Sequence, residues 1–303
     1  MSTDGLDASR HVAQTLPRER DSLSPRPLLA LIAACGALIA VLYLAFVQTS
    51  TGQRIDQRAM DHRALATRPA RYAIHDLLTT ISAGMLVVVI AVLVGQALVR
   101  RRPALALVAV ATIAGAALCT ELLKHGLTRP DLYFFSDPEG NTFPSGHTTV
   151  AFSVGIAALL VVPSRLRGIV ALGAIAYGAA VGIAVVAAGW HRPSDVAGAY
   201  LVVVGWGALV AFATARRFPR AFAAEAPSER PLLQSSHLAI VGVALAAGYV
   251  AALVAVLARH GGAIDWTLPG GTFLSACVAL VALAALTTVA LLIALRRALP
   301  DAR

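Results

Sequence analysis

The chain has 303 residues, of which 58% are hydrophobic and only 14% charged, and its mean hydropathy is +0.74. A soluble globular domain carries about a quarter charged residues, so the composition excludes an ordinary soluble enzyme and indicates a membrane protein. The net charge of +9 does not indicate a nucleic-acid partner, because the arginines gather in short segments between apolar runs, where bilayer topology accounts for them.

Residues 1–27 are polar, mixed in charge and without apolar periodicity, and read as a mobile cytoplasmic tail. The apolar run that follows is too long for a signal-peptide core and lacks a convincing cleavage site, so it reads as a retained anchor. A span needs about 20 apolar residues. On that criterion eight spans are predicted, near 28–47, 79–99, 104–123, 148–163, 168–188, 195–214, 237–258 and 273–295. The expected fold is all-α, a polytopic transmembrane helix bundle. Loop 48–78 carries Arg54, Arg58, Arg63, Arg68 and Arg71, partly offset by Asp56, Asp61 and Asp76. It reads as holding a short surface helix with Ile55, Met60 and Leu65 as apolar anchors. Cys35, Cys119 and Cys277 lie inside apolar runs with no CxxC pair, and read as small buried hydrophobes that say nothing of redox compartment.

With the N-terminus cytoplasmic, the inside segments hold most of the basic residues, among them Arg100, Arg101, Arg102, Arg165, Arg167, Arg216, Arg217, Arg296 and Arg297, as the positive-inside rule requires. Loop 48–78 falls on the other side and resists the rule with its five arginines; after it, segments 124–147, 189–194 and 259–272 fall there too, and the first two of these hold nearly all the side chains suited to chemistry.

In ELLKHGLTRPD, residues 121–131, Lys124 ends an apolar helix and Arg129 precedes Pro130. A lysine at a helix end can simply snorkel, but Lys124 is the only lysine in a chain that otherwise uses arginine. An ammonium serves as a point charge on a phosphate oxygen and a guanidinium as a planar fork for two. Pro144-Ser145-Gly146-His147 then opens the fourth span. It is a helix start able to bind an anion through free N–H groups; Ser145 can cap it or donate its hydroxyl, and Gly146 permits close approach. Read blandly, this is an ordinary Pro-Ser cap beside an interfacial histidine. In GWHRPSDVAGA, residues 189–199, His191 and Asp195 are four apart at the start of the sixth span, a spacing that suits a carboxylate orienting an imidazole. HxxxD by itself is equally the pattern of a surface ion pair. Taken together, the pieces form a metal-free set for phosphoryl transfer: cations and N–H groups for the equatorial oxygens, a nucleophile, and a general acid. No cofactor is expected.

With these motifs in this order, the chain resembles the type 2 phosphatidic acid phosphatase (PAP2) superfamily, which includes the vanadium haloperoxidases, on its membrane phosphatase branch. The resemblance covers residues 28–214 and implies a six-helix catalytic core there; the run pattern leaves 215–236 as a cytoplasmic linker and 237–303 as two further transmembrane helices and a short tail. It implies His191 as a nucleophile forming a phosphohistidine, Asp195 as its orienting partner and His147 as the acid that protonates the leaving group. Lys124, Ser145 and the Gly146 N–H would bind phosphate. Two family arginines are displaced. The family has six residues between the lysine and Arg-Pro, where this chain has four, so Asp131 stands at the family position. It also has Ser-Arg ahead of the nucleophilic histidine, where this chain has Ala184 and Val185. Arg129 and Arg192 are the candidates to replace them.

The resemblance implies an integral membrane phosphatase acting at the extracytoplasmic face on a lipid phosphate or diphosphate, such as phosphatidate, phosphatidylglycerophosphate or a polyprenyl phosphate. Two alternatives remain: a lipid phosphotransferase using the same site, and a PAP2-like lipid-binding or scaffold protein with weak catalysis. The expected partners are the lipid substrate and the bilayer of a bacterial cell membrane, with both chain ends cytoplasmic. The oligomeric state is not legible. Gly178 and Gly182 permit close helix packing, within the bundle or between protomers.

Overall fold

The computed structural model describes residues 25–61, 74, 78–79, 83–132, 140–222 and 271–299. The seventh expected span (237–258), Leu65, and most of the N-terminal tail, the 215–236 linker and the 259–272 loop lie outside the described residues. Among the described residues the protein is all-helical. The helices are α1 (Arg26–Leu42, continued by a π-helical turn Tyr43–Val47), α2 (Ser50–Asp61), α3 (Ala83–Val99), α4 (Pro103–Gly126), α5 (Gly146–Val161), α6 (Arg167–Ala187), α7 (Pro193–Arg217) and α8 (Gly271–Ala298).

The described apolar runs are all helices, but they are not equal. Five are long and apolar enough to cross a membrane: Arg26–Val47, Pro103–Gly126, Ser164–Ala187, Pro193–Arg217 and Thr272–Ala298. The fourth expected span is a shorter apolar helix, Gly146–Val161, and the second is described as an apolar helix over Gly84–Val99. Helix α5 is cut short at both ends by local chemistry: the Ser145 cap opens it, and Val162, extended ahead of Pro163, closes it.

Helix α7 is the centre of the bundle. Of its most apolar stretch, 72% is buried within the protein, against 11% for α1, so α7 is walled by other helices while α1 turns most of its apolar surface outward. It packs on α1, α4, α5 and α8, and α5 lies between α4 and α6. Close approach is set by small residues. A Cβ on Gly178 would meet the Phe152 ring of α5, and one on Gly182 would meet Tyr200 and Val196 of α7. The Gly178–Gly182 pair is thus used inside the bundle. The Tyr200 hydroxyl donates to the Gly178 carbonyl at 3.0 Å, satisfying the phenol where it is buried. Helix α8 joins the same core through Leu280, Ala284, Leu291 and Leu295, against α7, α6 and α1. Val87, Val88, Val92, Leu107, Leu118 and Leu122 remain exposed on α3 and α4, a surface suited to lipid.

The short helix expected in loop 48–78 is present as α2, with Met60 packed against the core and Ile55 exposed. The face α2 turns inward is polar: Gln53 and Asp56 are buried there beside Gly52 and Ala59.

Candidate functional site

The second histidine motif begins with a turn that glycine makes possible. Helix α6 ends at Ala187, and Gly189 follows at φ +78°. The N–H of Gly189 donates to Val186 and that of Trp190 to Val185, the paired bonds of a Schellman ending. The chain reverses there, so that His191 follows directly and α7 starts at Pro193. Asp195, two residues into α7, turns back and accepts the Arg192 N–H at 3.0 Å, one arm of a capping box.

Asp195 is fully buried and densely partnered. Its Oδ2 accepts the Thr142 hydroxyl at 2.7 Å, and its Oδ1 lies 3.5 Å from Nη2 of Arg129. Nδ1 of His191 sits 3.5 Å from Oδ2, at ion-pair distance, but is not aligned as a hydrogen bond. Catalytic hydrogen bonds are commonly long before substrate binds and tighten in the complex. Across from it stands His147, its ring centroid 6.2 Å from that of His191 and 5.2 Å from that of Trp190.

The first turn of α5 supplies the anion-binding element. Ser145 is the N-cap: its Oγ accepts the Thr148 N–H and donates to the Thr148 hydroxyl. The hydroxyl is wholly buried and committed to the cap. The Thr149 N–H goes to the Ser145 carbonyl, which leaves the N–H groups of Gly146 and His147 as the free donors of this helix start. Nζ of Lys124 lies beside it, 3.6 Å from where a Gly146 Cβ would stand, and is paired at 2.9 Å with Glu121. Asn141 ties the two segments together, reaching the Lys124 and Leu127 carbonyls while its Oδ1 accepts the Phe143 N–H.

The structure therefore brings Lys124, Arg129, Gly146, His147, His191, Arg192 and Asp195 to one end of the bundle, with Ser145 beneath them as cap. The arginine end is opposite: Arg100 donates to the Val161 carbonyl and Arg102 to that of Ala221. Among the described residues no three His, Cys, Asp or Glu side chains gather as a metal would need.

Residues 72–222 match the PAP2 superfamily. The chain belongs to the PAP2 superfamily. No curated protein and no solved structure matches it. PAP2 proteins are generally phosphatases, and phosphoryl chemistry is the coarse assignment that follows. The match leaves out α1, α2 and α8.

The two departures from the PAP2 pattern have a structural account. Val185 is buried in α6, where its carbonyl receives Trp190 and His191, so that position contributes backbone only. Asp131 is exposed, whereas Arg129 turns inward with a side chain only 6% exposed. Arg129 and Arg192 both reach the Thr142 hydroxyl, at 3.1 and 3.5 Å, so the two cations converge beside Asp195. Nε of Arg129 is buried and makes no hydrogen bond among the described residues. Thr142, Asn141, Gln53 and Asp56 also hold the site together, and none of them is marked as a site residue by motif or spacing. The first two lie within the loop leading into the Pro-Ser-Gly-His motif, where their polarity was the only signal. The last two lie in loop 48–78, where Gln53 carries no charge and Asp56 reads only as an offset to the arginines.

Proposed function

We propose that this PAP2 member is an integral membrane phosphatase that hydrolyses a lipid phosphate or diphosphate at the extracytoplasmic face. The observation that carries the reading is the pairing of His191 with buried Asp195 behind it and His147 facing it, beside a helix N-terminus flanked by Lys124.

With Nδ1 turned to Asp195, His191 has Nε2 left for in-line attack on phosphorus. The N–H groups of Gly146 and His147, with Lys124, Arg129 and Arg192, hold the equatorial oxygens, where charge is highest in the transition state. The bond to the leaving oxygen breaks as His147 gives it a proton. Water then attacks the phosphohistidine, His147 takes its proton, and inorganic phosphate departs with His191 restored. Asp195 stabilises the imidazolium charge throughout. Exposed Leu118 and Leu122 lie on α4 just below Lys124, which supports a substrate whose phosphate enters the site while its chain stays in lipid. The segregation of arginines at the opposite end supports the extracytoplasmic placement.

Purified protein in detergent is expected to release inorganic phosphate from a short-chain lipid phosphate, with inhibition by vanadate. His191→Ala is expected to lower kcat by ~10³-fold or more, as loss of a nucleophile does. Full turnover in that variant would remove the nucleophile assignment.

A further inference from the structure

Helix α2 lies outside the family match and outside the spans, yet it holds both halves of the site. Gln53 donates through Nε2 to the carbonyls of Val47 and Pro130, and its Oε1 accepts the Leu132 N–H. It thereby fixes the stretch that carries Arg129. From the end of α1, the Tyr43 hydroxyl and the Gln48 amide both donate to the Thr128 carbonyl. One turn further along α2, Asp56 is 2% exposed. Its Oδ1 accepts the Ser194 N–H at 3.2 Å and its Oδ2 the Ser194 hydroxyl.

Ser194 stands between Pro193 and Asp195 in the first turn of α7, where N–H groups have no partner in their own helix. The N-cap, Arg192, has no side-chain acceptor to offer them. The acceptor comes instead from a different helix, as a carboxylate placed against the positive end of the α7 dipole. The charged groups around it are Asp195 and Arg129. A titratable carboxyl buried beside the Asp195 carboxylate is a costlier cap than a neutral amide, which would accept the same N–H. We infer that Asp56 is a positioning residue for phosphoryl transfer: its carboxylate fixes the start of α7, and through it the placement of Asp195 and His191. The inference rests on the reading of His191 as the nucleophile.

The test compares phosphate release from a short-chain lipid phosphate by full-length wild type, Asp56→Ala, Asp56→Asn, Ser194→Ala and the Asp56→Ala/Ser194→Ala double variant. Thermal melting follows each. Asp56→Ala is expected to lower kcat by ~10²-fold, the cost of displacing a catalytic group by about 1 Å, with KM changed by less than ~3-fold. Asp56→Asn is expected to recover about tenfold of that loss, because its amide oxygen still accepts the Ser194 N–H. The double variant is expected to be no slower than Asp56→Ala, because both act through one contact. Additive losses, or a loss confined to KM, overturn the inference. Should Asp56→Ala not fold, the two milder variants decide: wild-type kcat in both Asp56→Asn and Ser194→Ala overturns it. A wild type that releases no phosphate defeats the functional reading and this inference together. An active wild type with those two variants unaffected defeats the inference alone.

Discussion

Asp56 shows how one side chain can be at odds with its setting. Burial, with the Asp195 carboxylate nearby, pushes its carboxyl up to about 7, against the opposing pull of the Ser194 hydrogen bonds and the Arg129 charge. An unfolded carboxylate titrates near ~3.9, so the fold favours the protonated form. That contribution is fully present below the unfolded value and is lost as pH rises through about 7. Asp56→Asn cannot ionise. Its melting temperature is expected to exceed that of wild type by more at about pH 8 than at about pH 5; an equal gap at both would show that Asp56 titrates as an ordinary carboxyl. The same variant is expected to turn over more slowly, the usual exchange of stability against function where a charge is kept at a site. At this scale Lys124, His147, His191 and Asp195 were legible, because residue type and spacing announce them. Thr142 was not, because its role is to meet Asp195 across 53 residues of chain, and a lone threonine in a loop carries no pattern.

Elements place these residues by how they begin and end. Helix α5 opens on a cap written in the chain itself, Pro144-Ser145, and the free N–H groups of its first turn follow from helix geometry. Helix α6 closes on Gly189 in the left-handed region, where a Cβ costs about 1–2 kcal/mol. Gly189→Ala is expected to destabilise the protein by that amount in thermal or chemical unfolding and to lower kcat, because the turn delivers His191 to the site. Unchanged unfolding would mean the turn tolerates a side chain. The shortened interval between Lys124 and Arg129 is absorbed by the extended segment after α4, which Tyr43, Gln48 and Gln53 hold through the Thr128 and Pro130 carbonyls. The loop is short, but its anchors reach it from α1 and α2, some 80 residues away.

Across the whole molecule, two ends differ in chemistry. One gathers the histidines, Asp195, Lys124 and Arg129; at the other, Arg100 and Arg102 bond to the carbonyls that end α5 and follow α7. In intact cells, a cysteine at exposed Asp131 (Asp131→Cys) is expected to react with an impermeant thiol reagent added outside. One at exposed Arg165 (Arg165→Cys) is expected to react only after permeabilisation. The opposite pattern would reverse the orientation of the bundle.

Apolar run length, the Pro-Ser cap and the order of the three motifs were enough to establish a helical membrane protein of PAP2 type, because hydrophobic length and helix capping are local properties carried by neighbouring residues. Tertiary packing alone decided that α5 lies between α4 and α6 and that Gly178 and Gly182 serve the bundle interior. It also decided that Arg129, with Asp131 left at the surface, turns toward Asp195, and that Asp56 caps α7. Each of these depends on which side chain meets which across the fold; Asp56 and Ser194 lie 138 residues apart. Contacts over such separations leave no periodicity in the chain, and only the packing of helix on helix selects them.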